Sequence, residues 1–175
     1  MTTKRDKTAD VPRLVRDLAH ALAERSWKIA VAESCTGGSL GAAITDMPGS
    51  SAFFLGGVVA YESRLKTSLL GVSPQALAKH GAVSLEVAVQ MADGCRARLG
   101  ADLSVSITGI AGPGGGTASK PVGLVFIAVS TARGTQAEEC RFPGDRADVR
   151  QRSVETALRL ALAAAQNLEG VNPPR

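Results

Sequence analysis

From Val11 to about Arg25 the apolar residues fall at 11, 14, 15, 18, 19, 22 and 23, a stripe along one face of a helix. Pro12 stands in a first turn, which tolerates it. Lys28 to Ala32 is a short apolar run of the kind that makes a buried strand. It breaks into Glu33-Ser34, then Thr36-Gly37-Gly38, then an apolar-periodic segment through Thr45, so the pattern predicts strand, tight turn and helix. Residues 47–51, Met-Pro-Gly-Ser-Ser, end that helix. A second strand is predicted at 57–61, a helix from about Arg64 to Leu70 closing at Gly71, and a short helix opened by Ser73-Pro74 with Ser73 as its cap. The helix from Ser84 to about Leu99 carries apolar positions 87, 88, 91, 92, 95 and 99. Leu103 to Ile107 reads as a third strand and Val122 to Thr131 as the longest one. A turn at 132–134 joins it to a hairpin partner at 135–142. A closing helix covers about 146–167, with apolar positions 149, 154, 157, 158, 161, 162 and 165.

Helix, strand–helix alternation, hairpin and helix together predict an α/β fold. The expected architecture is a three-layer α/β/α sandwich around a mixed, mostly parallel sheet of about five strands, with a C-terminal hairpin plus helix. The length of 175 residues fits one domain with a full core. That domain is expected over residues 11–168, with flexible tails at 1–10 and 169–175. Ligands in such sheets bind beyond the carboxyl ends of the parallel strands. Three of those ends coincide with the least regular segments, Ser34–Gly38, Tyr61–Lys66 and Thr108–Thr117.

Composition narrows the partners. The net charge of +4 invites nucleic acid, yet the basic residues are scattered among acids and aromatics are only 3% of the chain. A stacking platform for single strands needs clustered rings beside Lys and Arg, so a phosphorylated small molecule is the expected partner. There is no apolar run long enough to span a bilayer, and the polar start Met1–Lys7 leads into no signal-type segment, so the cytoplasm is the expected location. Three cysteines at wide spacing do not make a disulfide framework. Two histidines and no Cys-x-x-Cys leave no protein-built metal site, and no cofactor is expected.

The candidate chemistry begins at Ser34. A serine between a strand and a helix, ahead of two glycines, stands beside unpaired helix amides that can hold an oxyanion; the same pattern also describes a plain helix cap. Cys35 is a rival nucleophile, or a small buried hydrophobe. His80 and His20 are poorly placed as bases. Lys66, just past the second strand, is better placed, since desolvation lowers a lysine's pKa, and Tyr61 could position it or relay a proton. In isolation each has a bland alternative: a solvated helix lysine and a core aromatic. The loop 109–117 carries glycines at 109, 112, 114, 115 and 116, and Lys120 closes it. It is neither a Walker loop nor a dinucleotide fingerprint, but it can form an anion nest. Asp145 is a natural cap for the last helix, and Arg146 and Arg150 one turn apart could meet a phosphate or form a solvated face.

Ala32-Glu33-Ser34-Cys35-Thr36-Gly37-Gly38, Tyr61 with Lys66, His80-Gly81-Ala82-Val83-Ser84, Thr108-Gly109-Ile110-Ala111-Gly112-Pro113, Lys120-Pro121-Val122-Gly123 and Gly144-Asp145-Arg146 fall in this order. The set closely resembles the nicotinamide-nucleotide amidohydrolase family, also called the C-terminal domain of the competence/damage-inducible protein CinA, over about residues 11–167. The resemblance implies an α/β/α sandwich with a mixed sheet. It implies hydrolysis of the carboxamide of nicotinamide mononucleotide to nicotinate mononucleotide and ammonia, in pyridine-nucleotide recycling. It also implies Ser34 as nucleophile, assisted by Lys66 and Tyr61. Beside them, Cys35, Thr36, Gly37, Gly38, Thr108 and Gly109 are expected to line the oxyanion and substrate site. Gly112, Gly114, Gly115, Gly116, Lys120 and Arg146 are expected to hold the ribose-phosphate. A homo-oligomer, taken as a dimer, is expected. Two other readings stay open: a non-catalytic nucleotide-binding or regulatory module tied to competence or DNA damage, and an amidase for a different small amide.

Overall fold

The computed structural model describes residues 11–166; the two expected tails and the expected final residue of the closing helix, 167, lie outside them. The order of elements is α1 (Val11–Glu24), β1 (Ile29–Glu33), α2 (Ser39–Thr45), a short 3-10 turn (Ser50–Ala52), β2 (Phe54–Val59), α3 (Ser63–Leu70), α4 (Pro74–His80), α5 (Leu85–Leu99), β3 (Leu103–Gly109), β4 (Leu124–Thr131), β5 (Gly134–Arg141) and α6 (Arg146–Gln166). The strands form one sheet in the order β2-β1-β3-β4-β5. β2, β1 and β3 are parallel, and β4 is antiparallel to both β3 and β5. Four strands therefore run one way with β4 reversed, the mixed, mostly parallel sheet that the sequence predicts.

Alternate residues of the central strands differ in size, and this sets the layers. Ile29 and Val31 of β1, with Leu103, Val105 and Ile107 of β3, pack into one core with Val15, Leu18 and Leu22 of α1 and Val149, Val154 and Leu158 of α6. The intervening positions are small: Ala30, Ala32, Ser104 and Ser106. They let α5 approach closely, and the two serines donate to its carbonyls, Ser104 Oγ to Ala92 O and Ser106 Oγ to Ala88 O, both at 2.6 Å. These bonds satisfy hydroxyls that would otherwise be costly to bury.

The strand boundaries shift by one to three residues from the sequence expectation, and glycines explain the shifts of β2 and β4. β2 runs from Phe54 to Val59, not over 57–61. Gly56-Gly57 looks like a break but lies inside the strand, beside a register shift opposite Ile29/Ala30. β4 starts at Leu124 because Gly123, at φ 91°, turns the chain; a side chain there would meet Phe142 O. Among the described residues no helix is long and apolar enough to cross a membrane.

Helix α3 is seated through Gly94 of α5. A Cβ at Gly94 would lie 1.7 Å from Leu70 O, at the end of α3, so the helices meet backbone to backbone. Gly94→Ala should lower stability by about 1–3 kcal/mol through overpacking, outweighing the roughly 1 kcal/mol that alanine contributes to helix propensity. The shift in denaturant midpoint measures it; an unchanged or raised midpoint would show that α3 moves aside freely.

Candidate active site

The carboxyl ends of β2, β1 and β3 lie side by side, with Glu33 paired to Val59 on one side and Ile107 on the other. Ser34 follows β1 at the centre of this edge. Its amide donates to Ile107 O at 3.0 Å, and its carbonyl accepts from Gly37 N at 3.0 Å, closing a tight turn. Gly37 at φ 58° and Gly38 at φ 96° complete that turn in the left-handed region that glycine enters without strain.

Lys66 of α3 reaches under the same edge. Its side chain is among the largest fully buried ones, 1% exposed. Its Nζ lies 3.1 Å from Ser34 Oγ, 2.7 Å from Ala60 O and 3.3 Å from Tyr61 O. Burial lowers its pKa from the ordinary lysine value, and the nearby Cys35 and Glu62 oppose that shift. Three partners suit both protonation states. A neutral amine gives its two N–H bonds to the carbonyls and its lone pair to the serine hydroxyl; an ammonium donates to all three oxygens. A proton can pass from Ser34 Oγ to Lys66 Nζ without rearrangement of either side chain.

Tyr61 contributes its carbonyl, not its phenol, to the lysine. The side chain is 58% exposed, and its hydroxyl accepts from Arg146 Nη2 at 3.3 Å. Arg146, at the start of α6, also donates from Nη1 to Gly112 O at 2.9 Å, so it ties the glycine loop to the end of β2. Asp145 caps this helix, accepting from Ala147 N and Asp148 N. Burial pushes the Cys35 thiol up to about 11, so Cys35 is a protonated thiol at neutral pH and a poor nucleophile.

A cavity of about 250 Å³ opens here, lined by Ser34, Cys35, Tyr61, Lys66, Ala82, Val83, Thr108, Arg146 and the loop residues Gly109, Ile110, Ala111, Gly112, Gly114 and Gly115. Thr108 Oγ1 donates to Ala82 O at 2.8 Å, leaving its oxygen able to accept. Thr36, Gly37, Gly38, Gly116 and Lys120 are not in the lining. The Lys120 ammonium instead donates to His80 O and Val83 O, pinning the glycine loop to the segment before α5. Thr36 is fully buried with an unpartnered hydroxyl. Arg150 Nη2 donates to Thr36 O and Ser39 Oγ, both at 2.8 Å, outside the cavity.

Glu33 is a site residue that the sequence reading passes over. It is 1% exposed, and its carboxylate accepts from Gly38 N and Leu40 N at 3.0 Å and from Gly41 N at 2.8 Å. The available signal is an acid a few residues ahead of a helix start, where unpaired amides attract carboxylate. With Gly37 N and Gly38 N so engaged, the Cys35 and Thr36 amides are the turn donors that bond no oxygen among the described residues. Of these two residues only Cys35 lines the cavity.

Residues 12–165 match the CinA C-terminal domain. A CinA-like protein of Thermosynechococcus vestitus is 51% identical over 166 residues, 94% of this chain and 39% of that protein. One of Mycobacterium marinum is 47% identical over 173 residues, 89% of this chain and 40% of that protein. The chain thus spans well under half the length of these curated relatives. Solved structures of similar size align throughout. A competence/damage inducible protein from Agrobacterium tumefaciens superposes with a TM-score of 0.88 at 40% identity, covering 90% of this chain and 97% of that one. A competence-damaged protein (CinA) superfamily protein from Enterobacter cloacae gives 0.87 at 32% identity, covering 95% and 98%. By sequence over nearly all its described residues and by fold, this chain belongs to the CinA C-terminal domain family.

Proposed function

We propose that the protein is an amidohydrolase of the Ser-Lys type that releases ammonia from nicotinamide mononucleotide. The observation that carries the chemistry is the buried Lys66 Nζ, 3.1 Å from Ser34 Oγ and held by two carbonyls. A lysine whose pKa is lowered by burial is suited to serve as a general base. The substrate follows from the motif resemblance and is supported by the cation, Arg146, at the cavity wall.

In this reading Ser34 Oγ attacks the carboxamide carbon and its proton passes to Lys66 Nζ. The Cys35 amide, with the Thr36 amide behind it, is the donor assigned to the oxyanion. Lys66 returns the proton to the leaving nitrogen, and ammonia departs. Water then attacks the acyl-enzyme, giving one proton to Lys66, which passes it back to Ser34 Oγ as nicotinate mononucleotide leaves. Arg146 and the turn of the loop at Gly112–Gly115 are assigned to the phosphate end.

Ammonia release from nicotinamide mononucleotide, assayed in EDTA, tests the activity. Comparison with the nucleoside tests the phosphate assignment. Arg146→Ala should raise KM for the nucleotide by about ten- to a hundredfold, the worth of a charge-assisted contact, with kcat within a few-fold and with little effect on the nucleoside. Equal losses on both substrates would move the phosphate away from Arg146.

A further inference from the structure

We infer that Glu33 is a positioning residue for the nucleophile: its carboxylate holds the turn that aims Ser34 Oγ at Lys66. The inference rests on the Ser34–Lys66 reading and assigns the group that keeps that pair in register.

The partners of Glu33 are all backbone amides. Oε2 accepts from Gly38 and Leu40, and Oε1 from Gly41, so one carboxylate takes three donors at the start of α2. An ordinary helix cap stands at the residue next to the helix and accepts from the first turn. Gly38 occupies that place and offers no side chain. The cap comes instead from five residues earlier, so the bond from Glu33 to Gly38 closes a ring around Ser34, Cys35, Thr36 and Gly37. The other side of the same turn is tied to α6, where Arg150 donates to Thr36 O and Ser39 Oγ. The amides of Gly38, Leu40 and Gly41 are thus held by Glu33, and the Thr36 carbonyl by Arg150.

Two consequences separate this role from generic stabilisation. Gly37 and Gly38, both at positive φ, are the most permissive links between nucleophile and helix. Release of the carboxylate frees them and loosens the position of Ser34 Oγ relative to Lys66 Nζ. Glu33 is also not part of the cavity lining. Its loss therefore acts on the attack step and not on substrate binding. It further means that the positive end of α2 is occupied by a group of the protein's own, which leaves anion recognition to the opposite wall, where Arg146 lies.

The test uses the full chain and a fluorophosphonate, whose phosphorus is attacked by an activated serine with loss of fluoride. The label is located by mass spectrometry, with Ser34→Ala as the control. Glu33→Gln keeps the shape but turns an N–H group toward an amide donor. It should slow labelling of Ser34 by about ten- to a hundredfold, the scale of a small misplacement of a reacting group. The pH midpoint of labelling, set by Lys66, should not move, and in the ammonia assay the loss should fall on kcat with KM nearly constant. Glu33→Ala opens a carboxylate-sized space facing three amides, and added formate, unlike chloride, should speed its labelling. Labelling of Glu33→Gln at the unsubstituted rate, a loss confined to KM, or a Glu33→Ala protein that formate does not restore would each overturn the assignment. No labelling of the unsubstituted chain would instead bring down the Ser34–Lys66 pair itself, and this proposal with it.

Discussion

Ser34→Ala is expected to lower ammonia release from nicotinamide mononucleotide by about 10⁴-fold or more, the scale seen when a covalent nucleophile is removed. No neighbour can replace it. The Cys35 thiol is held protonated by burial, and Lys66 keeps its two carbonyl partners and remains under the sheet edge. The fold should persist, because the contacts of Ser34 that shape the turn come from its backbone, the amide to Ile107 O and the carbonyl from Gly37 N. Loss of one buried hydroxyl, from a lysine that keeps two other partners, should change stability by about 1 kcal/mol. Paired measurements of turnover and thermal unfolding decide the matter. A well-folded Ser34→Ala protein retaining a tenth of the activity would exclude Ser34 as the nucleophile.

The sheet and its layers were legible because they follow from local pattern. The short strand runs of β1 and β3 and the apolar stripes of α1, α5 and α6 need no long-range information. The edge of β2 was less legible, since Gly56-Gly57 carries the usual signature of a break and only pairing with β1 makes it strand. At the site, the order of Ser34, Tyr61 and Lys66 at strand ends was readable, but the use of each group was not. Lysine is nearly always solvated, and nothing local announces that Lys66 is buried to 1%. Lys120 beside a glycine loop suggests an anion, yet its ammonium is used by carbonyls 37 and 40 residues away in sequence. Tyr61 suggests a phenol that serves the lysine, whereas the structure supplies its carbonyl to Lys66 and its hydroxyl to Arg146. Each is a statement about which distant atom a flexible polar group finds, and hydrophobic periodicity carries no information about that.

Lys66→Met separates catalysis from stability at one position. Methionine fills the volume of the lysine stem but has no lone-pair amine, so kcat should fall by about 10²–10⁴-fold, the usual contribution of a general base. The acid limb of the kcat/KM profile, which in the unsubstituted protein reports protonation of Lys66, should vanish with it. Stability should respond in the opposite sense. Burial lowers the folded-state pKa of Lys66 below the ordinary 10.5, so between those two values the unfolded chain binds more protons than the folded one. Unfolding free energy therefore rises with pH across that window. Below the lowered value both states are protonated and the full penalty of burying the ammonium stands; above 10.5 both are neutral and the penalty is gone. The variant lacks this dependence. It also strands the carbonyls of Ala60 and Tyr61, a loss independent of pH of about 1–3 kcal/mol for each buried acceptor. The stability of Lys66→Met relative to the unsubstituted protein should therefore be highest at low pH and should decline steadily as pH climbs toward 10.5. Denaturant unfolding of both proteins across that range measures the difference directly. A difference that stays flat with pH would mean that Lys66 titrates in the folded protein as it does in water, and a lysine of that kind would be fully charged at neutral pH and unable to take the proton of Ser34.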